Sequence, residues 1–118
     1  MKSFPEQVAE AKQRIREVTA EDVQAMRDRG DAVVLVDVRE PAEWAAGHVA
    51  GATAIPRGLL EFEVESKVPR DAQVVVYCAA GGRSALAADT LQQMGYENVA
   101  SLQGGIQAWA DAGGEIDG

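Results

Sequence analysis

The sequence predicts an α/β protein built on a parallel β-sheet. Two apolar runs, residues 33–36 and 74–77, are rich in β-branched side chains and too short for helices. Continuous hydrophobicity of this kind is typical of strands covered on both faces. Helical patterns separate the two runs, and strands that alternate with helices form βαβ units with right-handed crossovers. Functional sites in such sheets lie at the carboxyl ends of the strands.

The amino-terminal residues predict a helix. Ser3 and Glu6 have the spacing of a capping box, and apolar residues follow at helical spacing, so we expect an amphipathic helix over residues 4–16. We predict that residues 1–17 form a helical extension to a domain of residues 18–118.

The rest of the chain alternates between helix and strand patterns. In order, the predicted elements are a helix from Thr19 to near Gly30, a strand at 33–36, a short helix from Pro41 that Gly47 ends, a weak strand at 52–55, a helix at 58–66, a strand at 74–77, a helix at 84–94, a strand at 99–102 and a helix at 105–112. Residues 58–66 are ambiguous, because glutamates alternate with apolar residues as in a strand while leucines favour a helix. We predict a helix there.

Length and charge restrict the class of protein. A chain of 118 residues is one domain that can bury roughly two-thirds of its unfolded surface. Its net charge of −8 repels a phosphate backbone, so we expect no nucleic-acid partner. We find no apolar run of membrane-spanning length and no signal-peptide pattern, and we therefore expect a cytoplasmic protein without membrane contact. One cysteine and one histidine are too few soft ligands for a metal site, and we predict no cofactor.

The loop after residues 74–77 carries the chain's single cysteine. It consists of Cys78, Ala79, Ala80, Gly81, Gly82, Arg83 and Ser84. Its two glycines can take backbone angles closed to other residues, so that successive N–H groups form a concave anion cradle. A helix N-terminus and a nearby arginine lower the pKa of a free thiol from about 8.5, which predicts a reactive Cys78 thiolate. The alternative is a buried cysteine that acts as a small hydrophobe, a role that needs neither glycines nor an arginine.

Four segments together resemble the rhodanese family. They are residues 35–41, residues 43–52, the Cys78 loop and residues 104–109, and the likeness covers about residues 18–113. The resemblance implies a three-layer α/β/α fold with a central five-stranded parallel sheet. It also implies a sulfurtransferase in which Cys78 takes the outer sulfur of thiosulfate or a similar donor. The persulfide would then pass sulfur to a thiol acceptor, such as glutathione or a thioredoxin-like protein, or to cyanide.

The resemblance also suggests roles for residues around Cys78. The loop from Ala79 to Ser84 would bind the substrate, and the planar fork of Arg83 suits a sulfonate, although that arginine could instead close the loop. Arg57 lies at a position that faces the pocket in similar sequences, and a solvated arginine is the alternative. Asp37 and Arg39 would hold the rim of the site through an ion pair or hydrogen bonds. We interpret His48 as structural, because a low-pKa thiolate needs no base.

Two other functions are compatible with these residues. One is a regulatory or binding module that keeps the fold without turnover. The other is a phosphatase or arsenate reductase, because relatives with this fold hydrolyse phosphate esters. Those relatives place five residues between nucleophile and arginine, whereas four separate Cys78 from Arg83. The shorter loop favours sulfur transfer.

Overall fold

A computed structural model describes residues 1–118. The helices are α1 (Phe4–Arg14), α2 (Ala20–Asp28), α3 (Pro41–Ala46), α4 (Leu60–Lys67), α5 (Gly82–Gln93) and α6 (Gly105–Asp111), and a 3-10 turn (Arg57–Leu59) precedes α4. The strands are β1 (Arg16–Val18), β2 (Val33–Asp37), β3 (His48–Val49), β4 (Thr53–Ala54), β5 (Gln73–Tyr77), β6 (Val99–Leu102) and β7 (Ile116–Asp117). No helix is both long and apolar enough to span a bilayer.

Five of the strands form one parallel sheet in the order β1-β6-β5-β2-β4. The predicted α/β class and the five-stranded parallel sheet are therefore confirmed. β3 and β7 form a separate antiparallel pair. Because β2 and β5 are parallel neighbours, Asp37 lies beside Tyr77 and both strands end at one edge of the sheet. Cys78 is the next residue along that edge.

The two faces of the sheet are covered by different helices. Val74, Val76 and Cys78 belong to a buried cluster with residues of α4 and α5. Val75 and Tyr77 belong to a second buried cluster with residues of α2 and α6. The alternation follows from the two-residue period of a strand, and it explains why residues 74–77 are apolar on both faces of the sheet. Cys78 continues this alternation onto the α5 side.

The amino-terminal helix is shorter than predicted. Its capping box between Ser3 and Glu6 is present, but α1 ends at Arg14, and residues 16–18 pair with Ala100–Leu102 as the edge strand β1. We missed this strand because two of its three residues are charged and exposed, and its pairing partner lies more than eighty residues away. β1 spans the boundary that we predicted between the extension and the domain, and that division stays a prediction.

The ambiguous segment 58–66 is helical. α4 places Leu60 and Val64 one turn apart in the core and leaves Phe62 88% exposed. Buried apolar residues four positions apart fit the period of a helix, whereas the alternation of the glutamates every two residues would fit a strand. The helix prediction is confirmed, with a shift of about two residues at its start.

Candidate active site

The Cys78 loop connects β5 to α5. Gly81 has φ +107°, a backbone angle that favours glycine, and this residue caps the helix. Gly82 is already the first residue of α5, which begins two residues earlier than predicted, and it has ordinary helical geometry. Of the two glycines that we expected to use such angles, only Gly81 does so. The small size of Gly82 serves packing instead, since a Cβ there would lie 3.1 Å from the Phe4 ring of α1.

The sulfur of Cys78 is surrounded by hydrogen-bond donors. The Gly81 N–H donates to Sγ at 3.0 Å and the Ser84 N–H donates at 3.4 Å. The Oγ of Ser84 lies 3.5 Å from the same sulfur. Burial acts to raise the pKa of the thiol, but the hydrogen bonds from Ser84, Gly81 and Ala80 outweigh it and lower the pKa of Cys78 below its ordinary value. The arrangement favours a thiolate at a sulfur that is only 1% exposed.

Residues on β6 and at the start of α6 support the loop. The Oγ of Ser101 lies 2.8 Å from that of Ser84, and both side chains are fully buried. The Ile106 N–H donates to the Cys78 carbonyl at 2.9 Å. Gly105 permits this close approach, because a Cβ there would lie 2.4 Å from the same carbonyl oxygen. The base of the cradle is therefore tightly packed.

Arg83 does not point freely into solvent. Its Nη1 and Nη2 donate to the two carboxylate oxygens of Glu43 at 2.8 and 3.0 Å. This bidentate pair holds the pKa of Glu43 at about 2, with a further hydrogen bond from the Glu40 N–H. The pair joins α3 to the start of α5 across the loop. The guanidinium thus closes the site, and Glu43 and, more weakly, Cys78 raise the pKa of Arg83. Its Nε–H is not hydrogen-bonded to Glu43.

A second arginine pair lies behind the loop. Arg39 donates through Nε and Nη2 to the Asp37 carboxylate at 2.8 to 3.1 Å, and its Nη2 also donates to the Gly47 carbonyl at 2.7 Å. Asp37 and Arg39 are 1% and 8% exposed. The arginine also lies over the Tyr77 ring, 5.7 Å from its centroid. These contacts connect the ends of β2 and β5 to the segment before β3.

His48 and Arg57 make their contacts away from the sulfur. The His48 ring stacks on Trp44 at 3.5 Å, and its Nδ1 lies 3.1 Å from the Trp44 carbonyl oxygen. Arg57 donates to Glu61 at 2.9 Å and to the Thr90 hydroxyl at 3.1 Å. It lines a polar groove of about 460 Å³ between α1 and α5, which the residues of the cradle do not line. The structure therefore does not place Arg57 in the predicted pocket.

Comparison with known proteins identifies the family of this chain. The family model for the rhodanese-like domain matches residues 19–112. The chain belongs to the rhodanese family. This match contains the Cys78 loop, the Asp37–Arg39 pair, Glu43 and Ser101, so every residue that contacts the sulfur lies within the rhodanese-like region.

Curated relatives and solved structures extend the match. A protein named sulfurtransferase from Allochromatium vinosum is 42% identical over 100 residues, which cover 84% of this chain and 92% of that protein. The thiosulfate sulfurtransferase GlpE of Pseudomonas entomophila is 36% identical, over 73% of this chain and 78% of that protein. This chain also matches two mycobacterial relatives, and it spans only 24% of their length.

One solved structure also includes the amino-terminal helix. It is a protein of unknown function from Rhodopseudomonas palustris, described as a possible tyrosine phosphatase. The match has a TM-score of 0.89 and 39% identity, and it covers 99% of this chain and 96% of that one. The matched region therefore includes residues of α1 as well as the residues of the rhodanese-like domain.

Two residues of the rhodanese-like site were not predicted from the sequence. Ser101 lies in the strand predicted at 99–102, to which we assigned no site residue, and Glu43 was noted only as part of a resemblance segment. Neither lies close to Cys78 in the sequence, so local spacing carried no information about them. A polar residue inside an apolar strand was the only available hint for Ser101, because buried hydroxyls need a partner.

Proposed function

We propose that this protein is a sulfurtransferase that moves sulfane sulfur from a donor to a thiol acceptor through a persulfide on Cys78. The observation that carries the proposal is a buried sulfur that accepts hydrogen bonds from the N–H groups of Gly81 and Ser84. Donors arranged in this way stabilise negative charge without reorganising. A thiolate is the nucleophilic form of cysteine, and sulfur of a disulfide-like bond is a soft electrophile that suits it.

In the first half-reaction, the Cys78 thiolate attacks the outer sulfur of thiosulfate. The new S–S bond forms as the bond to the sulfonate sulfur breaks, and the electron pair leaves with sulfite. Cys78 then carries an anionic persulfide. The total negative charge is conserved, and no external oxidant or reductant is needed. The free N–H groups of Arg83 suit the sulfonate oxygens of the donor during this step.

In the second half-reaction, a thiol attacks the outer sulfur of the persulfide. The Cys78–sulfur bond breaks, its electron pair returns to Sγ, and the proton of the acceptor thiol ends on the transferred sulfur. The products are an acceptor persulfide and the starting thiolate. Because the chain has no second cysteine, the acceptor has to be an external molecule. We propose a small thiol such as glutathione, or a thioredoxin-like protein.

The names of the relatives support sulfur transfer, and one structural neighbour raises phosphatase activity as the alternative. The loop length favours sulfur transfer, because only four residues separate Cys78 from Arg83. We therefore propose thiosulfate or a similar sulfane compound as the donor class.

Mass spectrometry of the protein after incubation with thiosulfate tests this function. We expect one added sulfur atom on Cys78, which a thiol such as glutathione then removes. Cys78→Ser is the control, because serine is nearly isosteric but un-ionised near neutral pH, and we expect no added sulfur and an unchanged fold. An unmodified wild-type protein would favour the binding module. Hydrolysis of p-nitrophenyl phosphate without any thiosulfate reaction would favour the phosphatase.

A further inference from the structure

We propose that Glu43 is a positioning residue that limits how tightly Arg83 holds the anionic sulfur donor and the departing sulfite. This inference rests on the proposed sulfur transfer and concerns the same site. Glu43 lies on α3, about forty residues from the loop in the sequence, and it reaches the site only through Arg83. It does not touch the sulfur itself.

The contacts of Glu43 fix it in one position. Both of its carboxylate oxygens accept from Arg83, and the oxygen Oε1 also accepts from the Glu40 N–H at 3.0 Å. The side chains of Glu43 and Arg83 are 35% and 33% exposed, so a ligand can approach the pair from solvent. The guanidinium is therefore held by a carboxylate that is itself anchored to the helix start.

The geometry of the guanidinium determines what remains for a ligand. Arginine has five N–H donors, and the end formed by Nη1 and Nη2 is occupied by Glu43. The Nε–H and a second hydrogen on Nη2 form another edge that can bind two oxygens of a sulfonate. Glu43 thus orients Arg83 and leaves one bidentate edge available.

The charge of Glu43 opposes the same ligand. Arg83 and, more weakly, Arg39 are the charged groups that act on Glu43, and Arg83 is the charged group that acts on Cys78. With Glu43 ionised, the positive charge of Arg83 is largely offset, so the backbone N–H groups become the main stabilisers of the Cys78 thiolate. A weaker net positive charge binds thiosulfate less tightly and also releases sulfite more readily, since both are dianions.

An alternative role for Glu43 makes the opposite prediction. If Glu43 only braces the loop, its loss would loosen Arg83, weaken donor binding and raise the pKa of Cys78. If its charge matters, Glu43→Gln keeps the side-chain shape, frees the charge of Arg83, strengthens anion binding and lowers the pKa of Cys78. The two roles therefore differ in sign.

Steady-state kinetics with varied thiosulfate and a fixed concentration of the thiol acceptor decides between these roles. For Glu43→Gln we expect the KM for thiosulfate and the inhibition constant of sulfite to fall by about three- to tenfold, the size of a partly screened charge interaction. Alkylation of Cys78 by iodoacetamide across pH should show a lower thiol pKa. Glu43→Asp keeps the charge and should stay closer to wild type in all three quantities. Arg83→Ala should raise the KM.

Glu65→Gln is the matched control, because Glu65 also pairs with an arginine, Arg70, but lies outside the site. We expect it to leave the KM, sulfite inhibition and thiol pKa unchanged. A higher KM together with a higher Cys78 pKa in Glu43→Gln would overturn the proposal, and so would values equal to those of wild type. The alkylation experiment needs no sulfur transfer, so failure of the proposed function would appear separately as absence of a persulfide in the wild type.

Discussion

The two sides of the Cys78 loop are built in different ways. On the inner side, Ser84, Ser101 and the Asp37–Arg39 pair are buried, with exposed fractions of 8% or less. On the outer side, the Arg83–Glu43 pair has the same chemistry as Asp37–Arg39, yet both of its residues are about one-third exposed. Buried polar groups lose a great deal when a partner is removed, whereas exposed pairs contribute little to stability. The comparison indicates that the inner side maintains the fold and that the outer side is free to adjust ligand binding.

The largest effect should come from breaking the buried pair. We expect Asp37→Asn to lower the free energy of unfolding by about 3–5 kcal/mol, because it leaves Arg39 charged and uncompensated in the interior. Urea denaturation measures this change. Asp31→Asn removes a carboxylate from the exposed Arg29–Asp31 pair and should cost less than about 1 kcal/mol. Equal losses in the two variants would contradict the distinction between buried and exposed ion pairs.

A smaller effect should follow from removing the hydroxyl of Ser101. In Ser101→Ala, Ser84 loses its partner at 2.8 Å, and its hydroxyl is less well oriented toward the Cys78 sulfur. We expect the pKa of Cys78 to rise, because the thiolate loses part of its hydrogen bonding, and the free energy of unfolding to fall by about 1 kcal/mol. Iodoacetamide alkylation should therefore slow near neutral pH and recover at high pH.

Ser66→Ala is the control for Ser101→Ala, since Ser66 bonds to the Glu63 carbonyl in α4, far from the loop. Its thiol titration should match that of wild type. A titration of Ser101→Ala that also matched wild type would mean that the serine pair does not influence the thiolate.

The smallest effect concerns the outer pair in acid. The pKa of Glu43 is about 2 in the folded protein, below its ordinary value of 4.5, so this carboxylate stabilises the fold above pH 4.5. That stabilisation is lost as the pH falls through about 2. We expect wild type to lose stability more steeply than Glu43→Gln across this range, by less than about 1 kcal/mol because exposure and salt screen the pair. Thermal melts of both proteins across this pH range, at low and at high salt, would measure the difference in stability. Identical acid profiles would show that the Arg83–Glu43 pair does not contribute to stability.

Particular residues show how far sequence reasoning reached. The apolar runs, the capping box of Ser3 and Glu6 and the Cys78 loop contain their information within about ten residues, and these features were predicted with only small shifts in their ends. The strands β1, β3 and β7 were missed, because each has two or three residues and is defined by its pairing partner. Residues 58–66 were ambiguous in the sequence, and they are helical because Leu60 and Val64 pack into the core.

The same division applies to the site. The sequence by itself determined that one cysteine follows a buried strand and begins an N–H-lined turn, because strand period and glycine placement are local properties. Only the tertiary structure decided which side chains control that sulfur. Ser101 reaches Ser84 across neighbouring elements, Glu43 takes one end of Arg83, and Arg57 bonds to Thr90 instead of facing the loop. The physical reason is that polar side chains bond to whatever the fold brings within about 3 Å, and distance along the chain says little about that.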